Sequence, residues 1–266
     1  MNNQSLHNTQ SEWPEFLPLS LRLVIMSRSR PRAITSHRLF PTATLVVPES
    51  EIQAYGHVTL PEKVTIPDSV SGVSAVRNWI IQRFTEEAIV MLDDDISACV
   101  CMVSLRCRKL SVDETLAMLE NSAYCARGAG ARLFGWHQRS DPRLLQRNDP
   151  FGINHWVGGA VGVVRDEHGK APQWDELLKC KCDIDASLTE LMVSRLVWNE
   201  ARFCFVQDRE KNLGGNSLFR SAERISSEKR YLKSKWKAHM RFETYKSQDR
   251  VAIDAPRRQS VSLGAC

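Results

Sequence analysis

The chain has 266 residues, 42% of them apolar and 25% charged. That balance suits one large globular domain, or one with an appendage, and excludes a disordered chain. No apolar run reaches the roughly 18 to 20 residues of a membrane span. The net charge of +5 is uneven, since residues 217–266 hold twelve Lys or Arg against five Asp or Glu, leaving 24 against 26 in the rest. The excess points to a polyanionic partner, nucleic acid before anionic membrane, with a merely solvated tail as the competing reading.

Residues 1–20 are polar, carry Pro14 and Pro18, and are expected to be flexible. They lack the basic start and apolar core of a secretory signal. Arg22-Leu23-Val24-Ile25-Met26 reads as a first strand, 43–47 as a second closed by Pro48, 49–55 as a short helix ending at Gly56, and 63–66 as a third strand stopped by Pro67-Asp68. Val73, Val76, Ile80 and Phe84 recur at helical spacing, which predicts a helix with that face buried. Ile89-Val90-Met91-Leu92 is a continuous apolar run suited to a strand covered on both sides. Strand, helix and strand in this order imply a parallel sheet with right-handed crossovers.

Ser111-Val112-Asp113-Glu114 is a capping box that opens a helix running to about Arg127. Residues 132–136 and 156–165 read as strands, 186–198 as an amphipathic helix and 202–206 as a strand. Asn212-Leu213-Gly214-Gly215-Asn216 reads as a loop and 221–239 as a long basic helix. The expected organisation is one domain over 21–240 and a loose basic tail over 241–266. Eight cysteines are scattered, and without an export signal they read as reduced thiols of a cytosolic protein. The one-residue gaps of Cys99-Val100-Cys101 and Cys180-Lys181-Cys182 differ from zinc-knuckle spacing.

Asp93-Asp94-Asp95 ends the run of the fourth strand. Asp is a poor strand residue, so three in a row are better placed at the carboxyl lip of a buried strand. Ligands of open α/β sheets bind there. Crowded, dehydrated carboxylates repel one another, and a hard divalent cation relieves that repulsion. Alternation along an extended chain turns Asp94 away from its two neighbours, and an acidic turn that merely ends the strand is the competing reading. Ser27, Arg28 and Arg30 come directly after the first strand. If the two strands are neighbours, cationic donors and carboxylates share one cleft, which suits a metal-bound nucleoside diphosphate. Surface solvation is the competing reading for both arginines.

Several pieces in order resemble the TET/JBP-associated glycosyltransferases, a group that includes phage DNA glycosyltransferases and the base-J glucosyltransferase. They are Val24-Ile25-Met26-Ser27-Arg28-Ser29-Arg30, Val46-Val47-Pro48-Glu49, Ile66-Pro67-Asp68, Val76-Arg77-Asn78-Trp79-Ile80, Met91-Leu92-Asp93-Asp94-Asp95-Ile96 and Asn212-Leu213-Gly214-Gly215-Asn216. The set spans roughly residues 22–237. The resemblance implies an α/β, GT-A-like (Rossmann-like) fold with a mixed, mainly parallel sheet flanked by helices. It implies Mn2+ or Mg2+, a UDP-sugar donor with UDP-glucose as the default, and DNA with hydroxymethylated bases as acceptor. The lack of a membrane span and of an export signal adds the expectations of no membrane partner and a cytoplasmic location, the host's if the gene is a phage's.

By the same resemblance Asp95 binds the metal, Asp93 the ribose or metal, and Asp94 less certainly the donor. Arg77 and Asn78 border the donor, and Gly158 and Gly159 lie behind its sugar. Gly215 belongs to a loop that binds phosphate or is only a turn. The acidic cluster Cys182-Asp183-Ile184-Asp185 matches the acceptor-side helix start of inverting enzymes, with Cys182 where Glu is usual. Asp183 is then the base that takes the acceptor proton and Asp185 the runner-up. A carboxylate there also serves as a cap or dipole partner. Lys229, Arg230, Lys233, Lys235, Trp236 and Lys237 are expected to track DNA and stack a base, against the alternative that the aromatics pack on the core. Two rival functions remain open: transfer to protein or polysaccharide, and a non-catalytic nucleic-acid-binding module.

Overall fold

Four parallel strands form the first half of the sheet: β1 (Leu21–Met26), β2 (Thr44–Pro48), β3 (Glu62–Ile66) and β4 (Ala88–Asp93). The structure is a computed structural model that describes residues 18–103, 106–138, 149–207, 215, 219–245 and 248–255. β5 (Ile96–Val103), β6 (Arg106–Lys109), β7 (Leu133–His137), β8 (Phe151–Gly152), β9 (Val161–Val164) and β10 (Trp198–Gln207) complete the sheet. The order is β3-β2-β1-β4-β9-β7-β10-β5-β6, with β8 paired to β10. β1, β2, β3, β4, β6, β7 and β10 point one way and β5, β8 and β9 oppose them, so the sheet is mixed and mainly parallel. The α/β class read from the sequence is the one observed.

Alternate side chains of each strand feed two cores. Leu23, Ile25, Val90 and Leu92 pack with Met118, Leu119, Ala123 and Ala126 of α2 (Val112–Ala129). Val24, Ile89 and Met91 pack on the other face. There they meet Ile80 and Ile81 of α1 (Val73–Arg83), Leu188 and Leu191 of α3 (Cys182–Val193), and Leu232 of α4 (Ala222–Trp236). Burial on both faces explains the unbroken apolar runs of β1 and β4. The predicted capping box is present, with Ser111 Oγ accepting from Glu114 N and Glu114 from Ser111 N.

Several elements differ from the sequence reading. β5 and β6 form a hairpin that the sequence pattern does not announce. Residues 156–160 are irregular and only Val161–Val164 is strand, because the first half bends into the cleft instead of pairing. α3 begins at Cys182, not 186, and is over before β10 starts at Trp198. On α1 the buried face carries Ser74, Arg77, Asn78 and Ile81, while Val73 and Val76 are only half-buried. The tail is not loose throughout, because β11 (Met240–Tyr245) and β12 (Gln248–Ile253) pair as a hairpin whose Met240 is buried in the core with α4. Residues 1–17 and 256–266 lie outside the described residues.

β1 has β2 on one side and β4 on the other. The connections therefore reverse direction at β1, and a crevice opens beyond the carboxyl ends of β1 and β4. Met26 and Asp93 are register partners there, which puts the Ser27–Arg30 segment beside the acidic triplet.

Candidate active site

That crevice is a cavity of about 400 Å³. One wall is built by the segments that leave the carboxyl ends of β1 and β4. Asp94 and Asp95 form the turn after β4, and all three aspartates line the cavity with Ser27, Arg28 and Arg30. Asp94 is only 4% exposed and works inside the wall. Its Oδ2 accepts from Ser27 Oγ at 2.6 Å and its Oδ1 from Arg30 Nη1 at 3.1 Å. Ser27 Oγ bonds Tyr55 Oη at 2.7 Å, and Arg30 N donates to the same Tyr55 oxygen at 3.1 Å. Arg28 donates from Nη2 to Val70 O at 2.8 Å, tying down the loop before α1. Gly215 N donates to Arg28 O, and with φ of 55° and Arg30 Cζ 3.2 Å from where a Cβ would sit, glycine suits the position. Asn212, Leu213, Gly214 and Asn216 lie outside the described residues.

The charges of this wall are unevenly compensated. Burial, then Asp93 and Asp94, push the Asp95 carboxyl up to about 6, and Arg30 only partly opposes them from 3.9 Å. Burial also raises Asp94, against the pull of Ser27 and Arg30. Asp93 Oδ2 accepts from Gln207 Nε2 of β10 at 3.0 Å. A carboxylate raised this far is one that a cation would stabilise.

The opposite wall centres on Arg77, 1% exposed. It is ion-paired to Asp183 at the start of α3. Its Nη2 donates to Gly159 O at 2.9 Å, and its guanidinium lies 5.3 Å from the Trp174 ring centroid. Burial pulls the Arg77 pKa down, and Asp183, Cys182 and Asp93 more than reverse this, so the guanidinium stays charged. Asp183 Oδ2 is 3.4 Å from the donating Gly159 N. A Cβ on Gly158 would come within 2.8 Å of Asp183 Oδ2, so the small residue is what lets this carboxylate seat.

Not every expected residue reaches the cavity. Asn78 turns the other way and clamps Trp174 through both its backbone groups, O at 2.9 Å and N at 2.8 Å. Gly158 is buried beneath Asp183 instead of lining the space. Asp185, 2% exposed, faces α4 and takes Lys235 Nζ at 2.9 Å and Trp236 Nε1 at 2.8 Å. The polar ends of Lys235 and Trp236 are thereby committed to Asp185, because a buried carboxylate needs a charge and a donor, while Lys235 itself stays exposed. Lys229 is half-buried with its ammonium over the Phe242 ring. Arg230, Lys233 and Lys237 are exposed.

Several contributors carried no local signal. Tyr55 and Gln207 act across the sheet. Trp156 and Gln138 line the cavity from irregular segments near β7 and β9, with Gln138 Nε2 donating to Gly158 O at 2.7 Å. Glu228 of α4 is the most distant. Its carboxylate accepts the backbone N–H of Lys179, Cys180 and Lys181, each at 2.9 Å, and so fixes the segment that delivers Asp183.

A family model described as TET-Associated Glycosyltransferase matches residues 22–215, more than half of the chain and every cavity-lining residue named above. The chain belongs to the TET-associated glycosyltransferase family. It is also similar to the beta-glucosyl-HMC-alpha-glucosyl-transferase of Enterobacteria phage T6, 28% identical over 109 residues. That match covers 39% of this chain and 39% of the phage enzyme, well under two thirds of the relative's length. Among solved structures, TarS 1–349 of S. aureus superposes with a TM-score of 0.46 at 9% identity, covering 70% of this chain and 59% of that one. Glucosyl-3-phosphoglycerate synthase of Mycobacterium tuberculosis, solved with Mn2+, UDP and glucosyl-3-phosphoglycerate, gives 0.44 at 11% identity, covering 89% and 88%. Among the described residues no helix is long and apolar enough to cross a membrane.

Proposed function

We propose that this family member is a metal-dependent glycosyltransferase. It would move a sugar, glucose by default, from a UDP-sugar to the hydroxyl of a hydroxymethylated pyrimidine in DNA. The observation that carries the reading is the arrangement of the cleft: Asp93 and Asp95 with Arg28 and Arg30 at one wall, and the Arg77–Asp183 pair at the other.

The first wall fits a divalent cation and a diphosphate. Asp93 and Asp95 are oxygen donors, and burial, then the charges of Asp93 and Asp94, raise the Asp95 carboxyl. Among the described residues no group of three His, Cys, Asp or Glu side chains is placed to hold a metal ion by itself. A cation held there supplies neutralisation of charge on the departing diphosphate. Arg30, held by Asp94, presents its guanidinium beside that charge.

The second wall fits the acceptor. Asp183 is oriented by Arg77 on one oxygen and by Gly159 N on the other. A carboxylate fixed this way removes the proton of an incoming hydroxyl as the sugar migrates, which is the demand of an inverting transfer. Asp185 is spent on Lys235 and Trp236, which favours Asp183 for this role. The DNA acceptor is supported by the phage relative, whose printed name includes HMC. It is also supported by exposed Arg220 at the cleft and exposed Arg224, Arg230, Lys233 and Lys237 beyond it.

The test is mass spectrometry of hydroxymethylated DNA incubated with a panel of nucleotide sugars, with and without Mn2+. The expected result is one added hexose per modified base, dependent on metal. Absence of transfer from every donor, together with no metal-dependent binding of UDP or GDP in calorimetry, would overturn the transferase reading. Transfer to protein or polysaccharide alone would replace the acceptor.

A further inference from the structure

The two walls account for donor and base but leave the acceptor ring without a seat. Of the aromatic residues on α4 expected to provide one, Trp236 donates its Nε1 to Asp185 and Tyr231 its hydroxyl to Asp175 at 2.7 Å. Trp156 is placed differently. It lines the cavity, is part-buried, and rests against the core shared with α1 and α3. Gly158 gives its position relative to Asp183. A Cβ built there would lie 3.0 Å from Trp156 Cζ3 and 2.8 Å from Asp183 Oδ2. The indole edge and the carboxylate thus straddle one glycine, and a flat group lying on the indole would carry its substituents to the carboxylate. The irregular course of 156–160 and the lack of a side chain at 158 are what permit this approach.

Resting on the transfer reading above, we propose that Trp156 is the acceptor platform. An unstacked pyrimidine base of DNA lies against the indole with its hydroxymethyl oxygen directed to Asp183, and exposed Arg220 of the same cleft takes a neighbouring phosphate. A base inside a duplex cannot reach a carboxylate in a cleft, so it must leave the stack, and an aromatic face replaces part of the stacking it loses. The cationic cleft mouth suits the phosphodiester that carries such a base, which a free saccharide lacks.

The test compares wild type, Trp156→Ala and Trp156→Phe by steady-state kinetics on hydroxymethylated duplex DNA, varying DNA and donor separately, with calorimetry of UDP and Mn2+ alongside. Trp156→Ala should raise the KM for DNA at least about five-fold, the lower end of base–aromatic stacking. The donor KM and the UDP affinity should stay within about two-fold, because stacking on the acceptor side leaves the donor contacts in place. Trp156→Phe should recover most of the loss. An unchanged KM for DNA, or an equal loss of UDP affinity, overturns the platform while leaving the transferase reading intact. If the alanine variant does not fold, Trp156→Leu against Trp156→Phe decides. Weaker DNA binding for Leu supports stacking, and equal binding overturns it. A wild type that binds UDP and transfers only to saccharide or protein overturns the DNA acceptor and the platform with it.

Discussion

Neighbouring aspartates of one turn have opposite effects on the fold. Asp94 holds Ser27 and Arg30 from inside the wall, so Asp94→Ala leaves a part-buried guanidinium without its nearest carboxylate. Breaking such a pair costs about 3 to 5 kcal/mol. The expected outcome is a clear drop in melting temperature together with loss of transfer, read by thermal unfolding. Asp95 is the reverse case. Its carboxyl is raised from 3.8 to about 6 in the folded chain. Between those values the metal-free folded protein keeps a proton that the unfolded chain has released, so stability falls as pH rises through the window and the deficit is complete above it. Two pKa units correspond to about 3 kcal/mol. Asp95→Asn should therefore raise the melting temperature at pH 8 and leave it nearly unchanged at pH 4, measured in EDTA, while transfer is lost. A wild-type melting curve that does not fall between pH 4 and 7 would count against the buried, repelled state of Asp95.

Helix α3 shows why part of the site is not legible in the sequence. The elements with a local pattern are readable: the apolar runs of β1 and β4, the capping box of α2, and the existence of α1, though not its buried face. α3 starts with no side-chain cap of its own, since Lys181 at its N-cap makes no such bond. The segment leading into it is held instead by Glu228, 47 to 49 residues later in the chain. A cap supplied from another helix leaves no trace in the local sequence, which is why local pattern alone places the start four residues late. For the same reason Lys235 and Trp236 read as solvent and DNA contacts, when their partner Asp185 lies 50 and 51 residues upstream. Glu228 is 5% exposed, and Glu228→Ala would leave three backbone N–H groups without an acceptor. Each costs about 1 to 3 kcal/mol when buried, though water entering the gap would moderate the sum. The expected outcome is a destabilised protein whose kcat falls more than its donor KM rises, because the segment displaced is the one that delivers Asp183. Donor KM and kcat failing in parallel would show that Glu228 supports the whole cleft and not the acceptor wall.

The charge asymmetry of the chain acquires a different meaning once α4 is docked. Deleting residues 221–266 looks like a way to remove a nucleic-acid arm, but it would also remove Glu228 and the buried Leu232 and Met240, so the core would fail with it. Besides Lys235, the exposed cations are Arg224, Arg230 and Lys233 of α4 and Lys237 just after it; Arg230 and Lys233 lie on the side of the helix away from Glu228 and Leu232, whereas Arg224 is one turn before Glu228 on the same face. Arg220 at the cleft directly precedes this helix, which makes these cations the candidates for phosphates that flank the acceptor proposed above. Each phosphate contact adds about 0.9 to the salt slope of duplex binding. Lys233→Glu with Lys237→Glu should weaken binding to modified and unmodified DNA alike and lower the log–log salt slope by about 2, with the donor KM unchanged. The measurement is a fluorescence anisotropy titration from about 50 to 200 mM salt, the range over which such slopes are read. A slope that does not move would put the phosphate contacts elsewhere on the protein. The basic excess of residues 217–266 would then serve solubility and the internal pairs of Lys235, not DNA.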